Sequence, residues 1–380
     1  MSFLRFTPTP LRPFLWLLLL ALTVQSHAAS NVVVRVLAAN LTSGTNRRYE
    51  SPGLRILKGL KPDIVAIQEF NYQSTNGLGV NTAPALREMV DAAFGTNFVY
   101  FRETGYDIPN GIISRYPILT NGSWVDSDPN LNDRGFAWAR VDVPGSNDLF
   151  VVSAHLKASS SASDVSRRAA EALELKSLIS TNFPTNAWVV VAGDFNIYSE
   201  SEGAVSTLTS FLSDQPVPAD LNGDADTNQG RSERYDRVFT SFSLTNLLTP
   251  VVLASRTLTN GLVFVSSNYT PLSDVAPVQS GDSSASGMQH MGVVKDFRIT
   301  LPDAPAVPPA APVLSSAALG GGIITFALAG TPGTNYVIQV TTNPASGNWI
   351  PLRTNLAPFS FNESNTLAFP QRFYRAVWSP

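Results

Sequence analysis

The chain contains no cysteine. Disulfides, thiolate metal sites and cysteine nucleophiles are therefore excluded. Histidine is nearly as scarce, with 3 in 380 residues. Charge is thin: Asp, Glu, Lys and Arg make up 14% of the chain, and the formal net charge is -3. No overall field draws in nucleic acid or anionic lipid, so an anionic substrate needs a local site. At the N-terminus, Arg5 and Arg12 precede an apolar run over residues 14–24 that is too short to span a bilayer comfortably. Ser26-His-Ala28 then offers a small-x-small cleavage pattern. Residues 1–28 read as a secretory signal peptide, which puts the mature protein in the periplasm or outside the cell. Its removal leaves two histidines, His155 and His290.

What is present is apolar: 44% of residues are hydrophobic, enough for one large domain and a smaller one. Residues 188–191 (Trp-Val-Val-Val) form a β-favouring run without alternation, the pattern of a strand covered on both faces. Ala192-Gly193 follows, then Asp194 and Asn196. An acid and an amide thus leave the end of a buried strand, a rigid place for a reacting group. Three other stretches repeat the plan. The strand at 31–39 exits into Asn40, that at 63–68 into Glu69, and that at 149–154 into His155. Further strands are expected at 98–102, 111–115, 135–142, 234–241, 250–256, 261–267 and 291–300. Helices are expected over 47–60, 84–94 and 164–181, the last capped by Asp164 with Ala169, Leu173, Leu175 and Leu178 near one side. Interleaved helices with several consecutive strands indicate a mixed α/β sandwich.

Residues 302–312 hold five prolines and read as a semi-rigid linker. Residues 313–380 carry four charged side chains and short strand-like runs, the pattern of a small β-sandwich module. That module resembles those appended to secreted bacterial enzymes, and would attach to a surface or another protein. The chain as a whole is expected to be a monomer.

Both mature histidines fall at strand ends, where Asn40, Glu69, Asp194 and Asn196 are also presented. Carboxylates and amides without sulfur suit Mg²⁺ or Mn²⁺. Histidines beside such a metal suit phosphoryl transfer, because they can donate to oxygens that gain charge. Asp236 could pair with His290 and favour its charged form.

Asn40, Gln68-Glu69, Ser153-Ala-His155, Gly193-Asp-Phe-Asn196, Tyr235-Asp236 and His290 resemble, in that order, the endonuclease/exonuclease/phosphatase superfamily, the DNase I-like enzymes. Residues 110–117 (Asn-Gly-Ile-Ile-Ser-Arg-Tyr-Pro) are similar to another segment of that family. The resemblance covers residues 30–301 and implies a four-layer α/β sandwich hydrolysing phosphodiesters, nucleic acid first among them. It implies Glu69 and Asn40 as metal ligands and Asp194 as the base for the attacking water. Asn196 would place that water, His155 and His290 would contact the phosphate, and Asp236 would support His290. Asn110 and Arg234 are candidate substrate contacts.

The chain departs from the family at Gln289, where an aspartate near the metal is usual. Gln289 keeps an oxygen but no charge, so a weaker or altered metal requirement is expected. It also keeps open a non-catalytic binding protein on a hydrolase scaffold. Two further readings are a phospholipase C or sphingomyelinase-type enzyme, with residues 262–265 as the one candidate apolar hairpin, and a sugar-phosphate phosphatase. Finally, Asn222, Asp224, Asp226, Asn228 and Glu233 have the spacing of a Ca²⁺ loop, but Thr227 stands where glycine is needed.

Overall fold

The structure is a computed structural model and describes residues 30–45, 47–73, 81–128, 133–301, 309–364, 368–369 and 371–379. The expected signal peptide and residues 302–308 of the proline-rich stretch lie outside the described residues. The chain divides into two compact units, residues 1–302 and 303–380.

The first unit begins with β1 (Asn31–Ala39), α1 (Ser51–Leu60), β2 (Ile64–Ile67), α2 (Ala83–Phe94), β3 (Val99–Arg102), β4 (Gly111–Ser114), β5 (Ile118–Val125), β6 (Gly135–Val141), β7 (Leu149–His155) and α3 (Ala162–Asn182). It continues with β8 (Trp188–Asp194), α4 (Gly203–Thr209), β9 (Leu212–Ser213), β10 (Asp236–Ser241), α5 (Phe242–Thr245), β11 (Leu248–Thr249), β12 (Val251–Leu253), β13 (Arg256–Leu258), β14 (Leu262–Phe264) and β15 (Gly292–Thr300). One sheet runs β11-β15-β1-β2-β4-β3, with β14 also on β15; the other runs β5-β6-β7-β8-β10-β9.

Alternation along the strands explains the layers. Val34, Val36, Ala38, Ile64 and Ala66 of one sheet meet Ala137, Val151, Val190, Ala192 and Val238 of the other. Leu37, Val65 and Ile67 face the other way, onto Ile56, Leu57 and Leu60 of α1 and Leu86, Met89 and Val90 of α2. Val152, Val189, Val191 and Phe239 face Ala172 and Leu175 of α3 and Ala204 and Leu208 of α4. The unit is therefore a four-layer α/β/β/α sandwich. Its strands lack alternation because both faces are covered by apolar groups.

Some expectations need correction. Asp164 does not cap α3: Ser161 is the N-cap, accepting from the Asp164 backbone N–H, and Asp164 sits in the first turn. Leu173 is 61% exposed; the buried stripe is Arg168, Glu171, Ala172, Leu175 and Ile179. α1 starts at Ser51, with Pro52 in its first turn, rather than at 47. The strand expected at 250–256 is split between β12 and β13, and β14 ends at Phe264. β5 was not expected. Its Thr120-Asn-Gly-Ser123 centre looks like a turn, yet it pairs as the edge strand of the second sheet.

The second unit consists of β16 (Val313–Gly320), β17 (Ile323–Ala329), β18 (Asn335–Thr341), β19 (Ile350–Leu356), β20 (Phe359–Glu363) and β21 (Phe373–Trp378). They form two three-stranded sheets, β16-β17-β20 and β19-β18-β21. Phe326, Leu328, Tyr336, Ile338, Ala357 and Phe361 form its core. No helix among the described residues is long and apolar enough to cross a membrane.

Candidate active site

Register gathers the polar residues. β7 and β8 are parallel with His155 opposite Asp194, and β10 is antiparallel to β8 with Asp236 opposite Asp194. Asp194 shares parity with Val190 and Ala192, so it continues their row between the sheets. From the facing sheet, Asn40 leaves β1 and His290 leads into β15, its antiparallel partner.

One oxygen is the focus. Asp194 Oδ2 accepts from Asn40 Nδ2 at 3.2 Å and lies 3.3 Å from His155 Nε2 and 3.5 Å from His290 Nε2. Asp194 Oδ1 accepts the Asn196 backbone N–H at 2.9 Å. His290 Nδ1 is 3.0 Å from Asp236 Oδ2. Asn196 Nδ2 donates to the Leu156 carbonyl, which ties the loop after β8 to the end of β7. Glu69 Oε2 accepts from Thr42 Oγ1 at 2.9 Å. All of these site residues are buried.

The backbone is bent to make this arrangement. Glu69 and Asn196, each just past a strand end, have φ of 49° and 47°. Such left-handed positions cost about 1 kcal/mol or more for a side chain other than glycine, and they concentrate at functional sites. Gly193 has φ 144°, and a Cβ there would lie 2.1 Å from the Ala154 carbonyl oxygen.

The two histidines are in opposite states. Burial drives the His155 pKa well down, with Arg134, His290 and Arg47 adding to the effect, so the ring is neutral. Burial also opposes charge on His290, but Asp236 and Asp194 override it and raise its pKa to about 10. Burial raises Asp236 to about 6 against the pull of His290. At neutral pH the dyad is thus an imidazolium on a carboxylate.

Glu171 of α3 borders the same region. It is 1% exposed, and its Oε2 accepts the Lys157 backbone N–H at 3.0 Å. Burial raises its pKa to about 7, against Lys157, Arg167, Arg134 and Arg168. A carboxyl raised on folding stabilises below its unfolded pKa and loses that contribution as pH rises through its folded pKa. Wild type should lose about 3 kcal/mol from this group between roughly pH 4.5 and 7, and Glu171→Gln should not. Urea midpoints of the two proteins at pH 5 and pH 8 measure this. Equal differences at the two pH values would rule it out.

Two groups of residues could hold a cation. Asp194, Asp236 and His290 offer ligand atoms within 4.8 Å of one another. That trio already contains the imidazolium, so a second cation there meets repulsion. Asn40 Oδ1 is buried without a hydrogen-bond partner among the described residues. It and the Glu69 carboxylate make a hard-oxygen pair that fits a Mg²⁺-like ion.

The other candidates are engaged as follows. Asn110 is buried, donates from Nδ2 to the Gly135 carbonyl and receives no partner at Oδ1 among the described residues. Arg234 pairs with Asp214 at 2.7 Å and with Glu200. Gln289 is exposed, and its carbonyl accepts from the Gln229 N–H. Of the carboxylates offered to calcium, Asp224 is paired with Arg231, which also holds Asp220.

Sequence reasoning missed Thr42 and Thr227 as parts of the site. Ser153 accepts from Gln68 Nε2 and donates to the Ile67 carbonyl, which pins β2 to β7 just behind the site. Thr42 lies past the end of β1, where no parity applies, whereas Ser153 lies two residues from His155 on the same face of β7. Thr227 lies in a loop and left no periodic signal.

The endonuclease/exonuclease/phosphatase family model matches residues 47–273. Among curated proteins, none matches the chain. Among solved structures, an endonuclease/exonuclease/phosphatase from Beutenbergia cavernae is 18% identical, with 91% of this chain and 100% of that one covered and a TM-score of 0.49. A protein of the same family from Leptotrichia buccalis is 14% identical (69% and 98% covered, TM-score 0.46). An AP endonuclease from Archaeoglobus fulgidus is 13% identical (70% and 99% covered, TM-score 0.45). The family match takes in more than half of the sequence, and this chain belongs to the endonuclease/exonuclease/phosphatase family.

Proposed function

We propose that this protein is an exported, divalent-metal-dependent phosphodiesterase, and within that class a nuclease. The observation that carries the reading is the convergence of Asn40 Nδ2, His155 Nε2 and His290 Nε2 on Asp194 Oδ2. A carboxylate so surrounded, aimed by the Asn196 N–H, is placed to hold a water and take its proton. The water oxygen attacks phosphorus, the ester P–O bond breaks, and the departing oxygen takes a proton from solvent. His290, kept charged by Asp236, donates to a phosphoryl oxygen, and neutral His155 contacts the phosphate beside it. Glu69 and Asn40 Oδ1 would hold the metal, which when bound offsets negative charge developing on the phosphoryl group. The leader at residues 1–28 supports export.

The lipid reading has less support. Leu262, Val263 and Phe264 are almost wholly buried on β15, so they form no hairpin free to enter a bilayer.

The mature protein should cleave bis-p-nitrophenyl phosphate and plasmid DNA or RNA. Cleavage should stop with EDTA, return with Mg²⁺ or Mn²⁺, and be absent on sphingomyelin. Activity on none of these substrates would overturn the enzymatic reading in favour of a binding protein. Activity indifferent to EDTA would overturn the metal assignment. In the same assay Gln289→Asp should lower the Mg²⁺ midpoint, and an unchanged midpoint would remove Gln289 from the metal's surroundings.

A further inference from the structure

The loop between β9 and β10 has calcium-loop spacing, but it is organised by a cation belonging to the chain. Arg231 donates from Nη2 to Asp220 Oδ2 at 2.8 Å and from Nε to Asp224 Oδ2 at 3.1 Å. It donates further to the backbone carbonyls of Asp226 and Asp224. Asp220 is 8% exposed and fully engaged: Oδ1 accepts the N–H groups of Asn222 and Asp224, and Oδ2 also accepts from Asn268. Arg231 itself has φ 52°, a backbone turn that brings the guanidinium back over its own loop.

The same loop is bonded to both strands of the histidine dyad. The Asp236 N–H donates to Thr227 Oγ1 at 2.7 Å, and the Met291 N–H donates to the Thr227 carbonyl at 2.8 Å. The Gln229 N–H donates to the Gln289 carbonyl, and Asn228 bridges His290. Thr227 is 1% exposed. It therefore stands between Arg231's cage and the two residues whose pairing keeps His290 charged.

We propose that Arg231 is a positioning residue that replaces a loop cation and, through Thr227, sets the Asp236–His290 dyad. The inference rests on the hydrolase reading of that site. A planar guanidinium gathers carboxylate and carbonyl oxygens much as a hard cation does. Without it, Asp220 and Asp224 repel each other across the loop. Because this cation is covalently attached, the loop's order does not depend on a soluble ion. Its donors are turned onto Asp220, Asp224 and two carbonyls, which is why we assign it to the loop and not to substrate.

The test compares wild type, Arg231→Ala and Arg231→Lys by amide hydrogen exchange and by kinetics on bis-p-nitrophenyl phosphate. In Arg231→Ala, protection of the Asp236 and Met291 amides should fall about tenfold or more. Its kcat should fall about 10- to 100-fold, with KM changed less than about threefold. Millimolar CaCl₂ or guanidinium should restore both quantities in Arg231→Ala and alter neither in wild type. Arg231→Lys, with one charge but no fork, should fall between the two proteins. Unchanged protection of those amides in Arg231→Ala would overturn the proposal. So would a general loss of protection that neither cation repairs. If wild type hydrolyses no phosphodiester, the enzymatic reading fails while amide exchange still decides the role of Arg231.

Discussion

The Asp194→Asn variant is expected to hydrolyse phosphodiesters about a thousandfold more slowly than wild type. The substitution keeps the shape of the side chain, so β8 and its apolar neighbours are undisturbed. It removes the carboxylate proposed to accept a proton from the attacking water. It also replaces an acceptor oxygen by an amide at a point where Asn40 Nδ2 and two imidazoles already meet. The loss should appear in kcat more than in KM, because the proton moves only in the transition state. Stopped assays on a phosphodiester, with circular dichroism as the control for folding, give the result. A folded variant retaining more than about a tenth of wild-type turnover would remove Asp194 from the role of base.

The second large effect is structural. Gly193→Ala should destabilise the first unit by about 3–5 kcal/mol, adding a strained φ to an overpacked contact. A Cβ at 193 would meet the Ala154 carbonyl oxygen at 2.1 Å and Gln68 Nε2 at 2.6 Å. Neither can yield cheaply. Ala154 belongs to the strand paired directly with β8, and Gln68 is held on Ser153. Denaturant midpoints of the two proteins measure the cost. A variant within about 1 kcal/mol of wild type would mean that β7 and β8 can part without penalty.

Most of the fold was legible because its main strands are covered on both faces. Residues 31–39, 149–155 and 188–194 are long apolar runs, and such runs ending in a polar side chain are hard to place anywhere but the middle of a layered sandwich. The edge strand β5 was not legible. An edge strand is partly wet, so Thr120, Asn121 and Ser123 carry no burial signal, and Gly122 lies against Trp138 rather than in a turn. The misplacement of the α3 cap has a similar origin. Serine and aspartate are both favoured at helix N-caps, and Ser161 and Asp164 hydrogen-bond each other, so spacing alone cannot rank them.

Within the site, strand exits revealed which residues could meet but not how. The left-handed backbone of Glu69 is invisible in sequence, whereas asparagine, after glycine, is among the residues that favour the conformation Asn196 adopts. The opposite states of His155 and His290 were half legible. Asp236 could be suspected as the partner of His290, whereas the neutrality of His155 comes from burial and from arginines distant in sequence. The acidic loop misled for a plain reason. Spacing displays the carboxylates that could bind an ion, but not that Arg231, within the same stretch, already holds Asp224 together with Asp220.

The pairing of β1 with β15 also has a consequence in time. Arg35 on the first strand is bonded to Asp296 on the last strand of the first unit, 261 residues later. β1 lies between β2 and β15, so one of its edges stays bare until nearly the whole first unit has been synthesised. At about 5–20 residues per second, that wait far exceeds the microseconds in which hairpins form. Asn40 leaves one member of this pair and His290 enters the other, so His290 joins the site only when β15 docks. A chain terminated before His290 and β15 therefore lacks the Asp236–His290 pair.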